Sequence, residues 1–241
     1  MPLPIVSTPT YELELPSNGK KIKYRPFLVQ EEKILMLALE SGSPDDISNA
    51  ALDVITNCIL TKGIKVKSLP IFDIEYLFLN IRAKSIGETI DLIITCGDDG
   101  VTEVPHEVLI DDIKVVKPKN HNPIVNLDDD LKLKLKYPDF DQFVEKNFDI
   151  GTEASKYESS MDTILSCIDC IYNEEECWYA SDYTKEELQQ FIETQLFSKH
   201  YKQIKKFFDT MPKLSYEFTV TNPKTGVENK VKLEGLADFF A

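Results

Sequence analysis

The stretch Ile90-Asp91-Leu92-Ile93-Ile94-Thr95-Cys96-Gly97-Asp98-Asp99-Gly100-Val101-Thr102-Glu103-Val104-Pro105-His106-Glu107-Val108-Leu109-Ile110 decides the fold class. Ile90, Leu92, Ile94 and Cys96 alternate with their neighbours, and so do Thr102, Val104, His106, Val108 and Ile110. Alternation of this kind places one set of side chains on one face of a strand. Gly97 to Gly100 supplies the turn between two such strands, so the stretch predicts a β-hairpin. Just before it the period is different. Ile74, Leu77, Phe78 and Ile81 recur at the three- and four-residue spacing of a helix stripe. A chain that switches from the helical to the strand period so abruptly predicts an α+β fold, with β-hairpins combined with amphipathic helices.

The same two periods run outward from this stretch. Towards the N-terminus, Ile47, Ala50, Ala51, Val54, Ile55, Cys58 and Ile59 form a helix stripe, with Asp45-Asp46 at the end that the helix dipole favours for acids. A helix from about Val29 to Ser41, with Gly42 placed to cap it, precedes that stripe. Tyr11, Leu13, Leu15 and then Ile22 and Tyr24 predict a first hairpin around Asn18-Gly19. Towards the C-terminus, Leu131, Leu133 and Leu135 alternate with lysines as in a half-exposed strand.

From Pro138 onward the pattern predicts a mainly helical half. Met161, Ile164, Leu165, Ile168, Ile171 and Tyr172 form one stripe, and Thr184 to Glu187 fits a capping box. Phe197, Tyr201, Ile204, Phe207, Phe208 and Met211 form an aromatic stripe that Pro212 stops. Leu214, Tyr216, Phe218 and Val220, then Val231 and Leu233, predict a final hairpin around Asn222 to Gly226. The polar stretch Lys117 to Asp130 is the candidate linker. The expected division is therefore residues 1-118 as an N-terminal α/β part, 119-136 as linker and strand, and 137-241 as a helical part with a C-terminal hairpin.

Composition narrows the function. Hydrophobic residues are 42% of the chain, enough for a packed core. No apolar run approaches the ~20 residues that span a bilayer. Met1-Pro2-Leu3-Pro4-Ile5 lacks the basic and apolar regions of a secretory signal, so a cytoplasmic origin is expected. Asp and Glu number 41 against 27 Lys and Arg, a formal net charge of -14. That surface repels phosphates and anionic lipid heads, which argues against nucleic-acid and membrane partners. The acidity serves either solubility or steering towards a basic protein.

Catalytic signatures are absent. There is no glycine-rich loop ending in Gly-Lys-Ser or Gly-Lys-Thr, and no G-x-G-x-x-G after a strand. His106, His121 and His200 are far apart in sequence, and no nucleophile-elbow motif accompanies them. No paired-carboxylate motif supports a cell-wall enzyme. A non-enzymatic protein is expected, without cofactor. The five cysteines are expected to be reduced. Cys167 and Cys170 have C-x-x-C spacing, with Cys177 further on, which leaves three readings: core packing, a metal site or a redox pair. Packing is favoured because the pair falls inside the predicted helix stripe. The alternative function is therefore a small cysteine-based metal-binding or redox protein.

Two places suggest partner binding. Trp178 and Tyr179 follow the acidic run Glu174 to Glu176, which reads either as an interface anchor with an acidic rim or as a helix end with one buried ring. Phe239 and Phe240 near the C-terminus must either pack on their own domain or bind a partner.

Several stretches have the wording of a known family. They are Lys21-Ile22-Lys23-Tyr24-Arg25-Pro26-Phe27-Leu28-Val29 with Glu31-Glu32-Lys33-Ile34-Leu35, Tyr137-Pro138-Asp139-Phe140, and Ile171-Tyr172-Asn173-Glu174-Glu175. Lys206-Phe207-Phe208-Asp209-Thr210-Met211-Pro212-Lys213-Leu214, Asn222-Pro223-Lys224-Thr225-Gly226 and Leu233 to Phe240 continue the likeness. The chain resembles the T4-like phage baseplate hub proteins and hub assembly factors, nearly end to end. The resemblance implies a role in tail morphogenesis in the host cytoplasm, or in the virion itself. It also implies hub or tape-measure proteins as partners, and it carries over no catalytic residue.

Overall fold

The computed structural model describes residues 6–41, 43–138, 140 and 153–235. Strands β1 (Tyr11–Glu14) and β2 (Lys21–Tyr24) form the first hairpin, with Leu13 opposite Ile22. Its loop needs one left-handed residue, Gly19 at φ 70°, while Asn18 uses its side chain to accept from the Lys20 amide at 2.9 Å. Helices α1 (Val29–Ser41), α2 (Pro44–Cys58) and α3 (Ile71–Ser85) follow. The expected cap Gly42 lies outside the described residues. Ser43 caps the start of α2, its hydroxyl accepting from the Asp46 amide at 3.4 Å with Pro44 in the first turn.

Helix α3 is central because its sequence is apolar on more than one face. The stripe Ile74, Leu77, Phe78 and Ile81 is buried, and so are Phe72, Leu79 and Ala83. Each fully buried side chain of that size stabilises the fold by roughly 1.5–3 kcal/mol relative to exposure. Strands β3 (Thr89–Thr95) and β4 (Glu103–Leu109) form the hairpin that the alternation predicted, with Ile94 opposite Val104 and Ile90 opposite Val108. A short strand β5 (Lys114–Val116) comes next.

The chain then forms a separate body. Strands β6 (Ile124–Asn126), β7 (Lys132–Leu135), β8 (Ile168–Tyr172) and β9 (Cys177–Tyr179) lie in that order in one antiparallel sheet. Helix α4 (Glu153–Ser166) precedes β8, and α5 (Lys185–Gln195) and α6 (Ser198–Asp209) follow β9. Val125, Leu133, Leu135, Met161, Ile164, Leu165, Ile168, Leu188, Ile192, Ile204 and Phe207 build its core. Finally β10 (Lys213–Thr221) and β11 (Glu228–Glu234) return to the first body, where β10 pairs with β5. Leu214 and Leu233 there share a core with Leu79, Ile90, Leu92, Val108, Ile110 and Ile113.

The chain thus divides into two compact units, Met1–Val116 with Lys213–Ala241, and Lys117–Pro212. The expected segments 1-118, 119-136 and 137-241 were consecutive. Here the final hairpin belongs with the N-terminal residues, because the β10–β5 pairing closes that unit. The fold is α+β, but the expectation of a mainly helical C-terminal half is overturned. That half holds β8, β9, β10 and β11, and the stretch read as one long helix stripe stops at Ser166. Ile168, Ile171 and Tyr172, placed in that stripe from the sequence, lie in β8 instead. Pairing with β7, where Leu133 opposes Ile171, decides the conformation that the local pattern left open.

Candidate protein-binding surfaces

Trp178 and Tyr179 sit on β9, the short edge strand of the second unit's sheet. Strand alternation sends them to opposite faces. Trp178 lies opposite Ile171 and packs, half-buried, against the core; Tyr179 lies opposite Cys170 and is 54% exposed. The acids before them form a turn rather than a helix end. Asn173 Oδ1 accepts from the amides of Glu175 at 2.9 Å and Glu176 at 2.6 Å, leaving Glu174, Glu175 and Glu176 exposed. Beside Tyr179 is a shallow hollow of about 270 Å³ lined by Lys136, Asp169, Ser181 and Leu188. Phe239 and Phe240 lie outside the described residues.

The cysteines are dispersed in role. Cys167 is fully buried after α4, Cys170 is buried in β8, and Cys177 is exposed on β9. Cys170 and Cys177 are diagonal neighbours, since Cys170 opposes Tyr179 and Cys177 opposes Tyr172. Burial, then the neighbouring Cys177, raises the Cys170 thiol above its ordinary range, the reverse of what a thiolate nucleophile or ligand needs. Among the described residues no group of three or more His, Cys, Asp or Glu side chains is gathered as a metal site would be.

The histidines serve packing. His121 joins Thr210 Oγ1 through Nδ1 at 3.1 Å and Tyr137 Oη through Nε2 at 3.0 Å, stacked on the Tyr137 ring and tilted against the Phe207 ring. Burial, then Lys117, lowers its pKa, which keeps the ring neutral near pH 7. His200 is buried at the start of α6, where Nδ1 accepts from the Phe197 amide at 3.1 Å. His106 stacks flat on Phe218, with ring centroids 3.9 Å apart.

A second surface, on α1, was not expected from the sequence. The run Ile34-Leu35-Met36-Leu37-Ala38-Leu39 is apolar without a break, so a helix must turn some of it outward. Ala38 is buried, but Val29, Met36, Leu37 and Leu39 are each more than half exposed. Val29 and Met36 stand two turns apart on one face, which the exposed Lys33 and Glu40 share and the exposed Glu32 borders. That unbroken apolar run was the signal that could have found the surface. The inner side of α1 is firmly held. Glu31, fully buried, accepts from Arg25 Nη2 at 2.9 Å and from the Leu28 amide at 2.8 Å, and Arg25 also donates to the Pro26 carbonyl at 2.9 Å.

No described helix is long and apolar enough to cross a membrane. Comparison with curated proteins and with solved structures gave no match. The family model described as T4 bacteriophage base plate protein matches residues 8–241, so this chain belongs to that family and has a structural or assembly role in a phage baseplate, among other phage structural proteins.

Proposed function

We propose that the chain is a baseplate hub subunit or hub assembly factor that acts by binding other tail proteins and not by catalysis. The family match over nearly the whole chain carries this reading. The exposed Tyr179 and the outward apolar side chains of α1 support it, because apolar surface left in water is a common mark of a protein interface. Its partners are hub or tape-measure proteins. The acidic surface guides encounter with basic partners and keeps nucleic acid away. The work is done in the host cytoplasm while the tail is built.

Co-purification from infected cells, set beside the protein content of mature particles, tests this. A hub subunit is recovered with hub proteins and is present in particles. An assembly factor is recovered with hub proteins but is missing from particles. Failure to recover any hub or tape-measure protein overturns the proposal.

A further inference from the structure

We infer that the outer face of α1 docks an amphipathic helix of another protein, one whose apolar stripe is flanked by lysines or arginines. This rests on the reading of the chain as a binding protein and adds the partner's chemistry. Three observations carry it. First, among the described residues none covers Val29, Met36, Leu37 or Leu39, while the opposite side of the same helix is already packed. A helix with apolar side chains on two sides is normally covered on both. Second, Val29 and Met36 stand at the i and i+7 positions of helix-on-helix anchors, with Leu37 and Leu39 on either side, and methionine adapts to a varied partner.

Third, charge selects the occupant. Helices α1 and α2 together carry Glu31, Glu32, Glu40, Asp45, Asp46 and Asp53 against Lys33, and α2 has no basic residue at all. Glu31 is neutralised by Arg25, but Glu32, Glu40, Asp46 and Asp53 are exposed. A partner with a basic rim meets complementary charge there. A second copy of this chain would bring one acidic rim against another, because a two-fold contact juxtaposes identical patches. Nucleic acid and anionic lipid are repelled by the same groups. The partner is therefore a basic amphipathic helix.

The probe is a labelled helical peptide with a leucine stripe flanked by lysines, titrated with the full chain and followed by fluorescence anisotropy. A peptide of the same stripe flanked by glutamates is the control. The lysine peptide is expected to bind, more weakly as salt rises, and the glutamate peptide is not. The variant Glu32→Lys/Glu40→Lys and the variant Met36→Ser/Leu37→Ser/Leu39→Ser should each weaken binding by about 10-fold or more. Circular dichroism melting should be nearly unchanged in both, since these side chains are exposed. No binding by the lysine peptide, equal binding of the two peptides, or undiminished binding by the variants overturns the inference. Self-association abolished by the triple serine variant in sedimentation velocity also overturns it, by assigning the face to a second copy. Recovery of tail proteins from infected cells separates this from the broader reading. If the wild-type chain recovers none, the binding-protein reading falls; if wild type and triple serine variant recover them equally, only the α1 site falls.

Discussion

Glu31 has no exposed surface, yet it is ionised, and its neighbours explain why. Burial acts to raise its pKa, but the bonds from Arg25, the Leu28 amide and Gln30 outweigh burial and hold the carboxyl down at about 2. A depressed carboxyl stabilises the fold above its ordinary pKa and loses that contribution as pH falls through the folded value. Glu31→Ala leaves Arg25 without its buried partner and should cost about 3 kcal/mol at pH 7, read from the urea midpoint. The gap between wild type and variant should close between pH 4.5 and about 2; a gap that persists there contradicts the account. This pair was not legible in the sequence, because the residue before α1 is Leu28 and offers no side-chain cap. Asp98 was likewise legible only as part of the Gly97 to Gly100 turn. It accepts from Asn222 Nδ2 at 3.0 Å, Asn229 Nδ2 at 2.8 Å and Thr225 Oγ1 at 2.5 Å, fastening the β3–β4 turn to the β10–β11 turn. The Thr225 and Asn222 bonds hold its pKa below the usual range, so the fastening weakens on acidification. Asp98→Ala should speed amide exchange at Gly226 and Val227; unchanged exchange would mean that the turns hold without it.

Elements with a complete local signal were legible. The α5 cap is one. Thr184 Oγ1 accepts from the Glu187 amide at 3.2 Å, and Glu187 accepts from the Thr184 amide at 2.8 Å, as the Thr-x-x-Glu pattern predicts. Thr184→Ala should lower stability by about 1 kcal/mol in thermal melts, with Thr184→Ser restoring most of it; no loss in the alanine variant would mean that tertiary packing alone holds the helix start. The first two hairpins and the last were legible for a similar reason, since glycine or Asn-Pro turns stand between runs of alternating residues. Strand β8 was not. Ile168, Ile171 and Tyr172 satisfy the three- and four-residue spacing, while Ile168, Cys170 and Tyr172 satisfy the two-residue spacing. Pairing with β7 and β9 resolves the choice, and β7, the partner that lies opposite Ile168 and Ile171, is more than thirty residues away in sequence. The same limit hid the candidate surfaces. Tyr179 could be named from its type, but its separation from Trp178 onto the outer face needed the strand. The outward side of α1 needed knowledge of which neighbours cover a helix.

At the scale of the molecule, the important contact is the one between β5 and β10. Val116 is the Cα partner of Lys213, so the chain leaves the first unit and re-enters it at facing positions of a single antiparallel pair. Residues 117 to 212 are therefore an insertion whose two ends start side by side, an arrangement that lets a host unit keep its own core. Each unit has its own cluster of buried residues. One draws on residues from Leu79 to Ile113 with Leu214 and Leu233, the other on residues from Val125 to Phe207. Replacing residues 117–212 by Asn-Gly, the turn suited to a two-residue hairpin, should give a chain that still unfolds cooperatively, because a short turn costs less closure entropy than a long insertion. Residues 117–212 expressed alone should also fold. Ending the chain at Pro212 should do the opposite to the first unit, since it removes β10 and β11, strips Leu214 and Leu233 from the core and leaves β5 unpaired. That truncated chain should show one surviving thermal transition, matching that of residues 117–212. Two surviving transitions, or none, would mean that the units do not hold themselves together as their separate cores require.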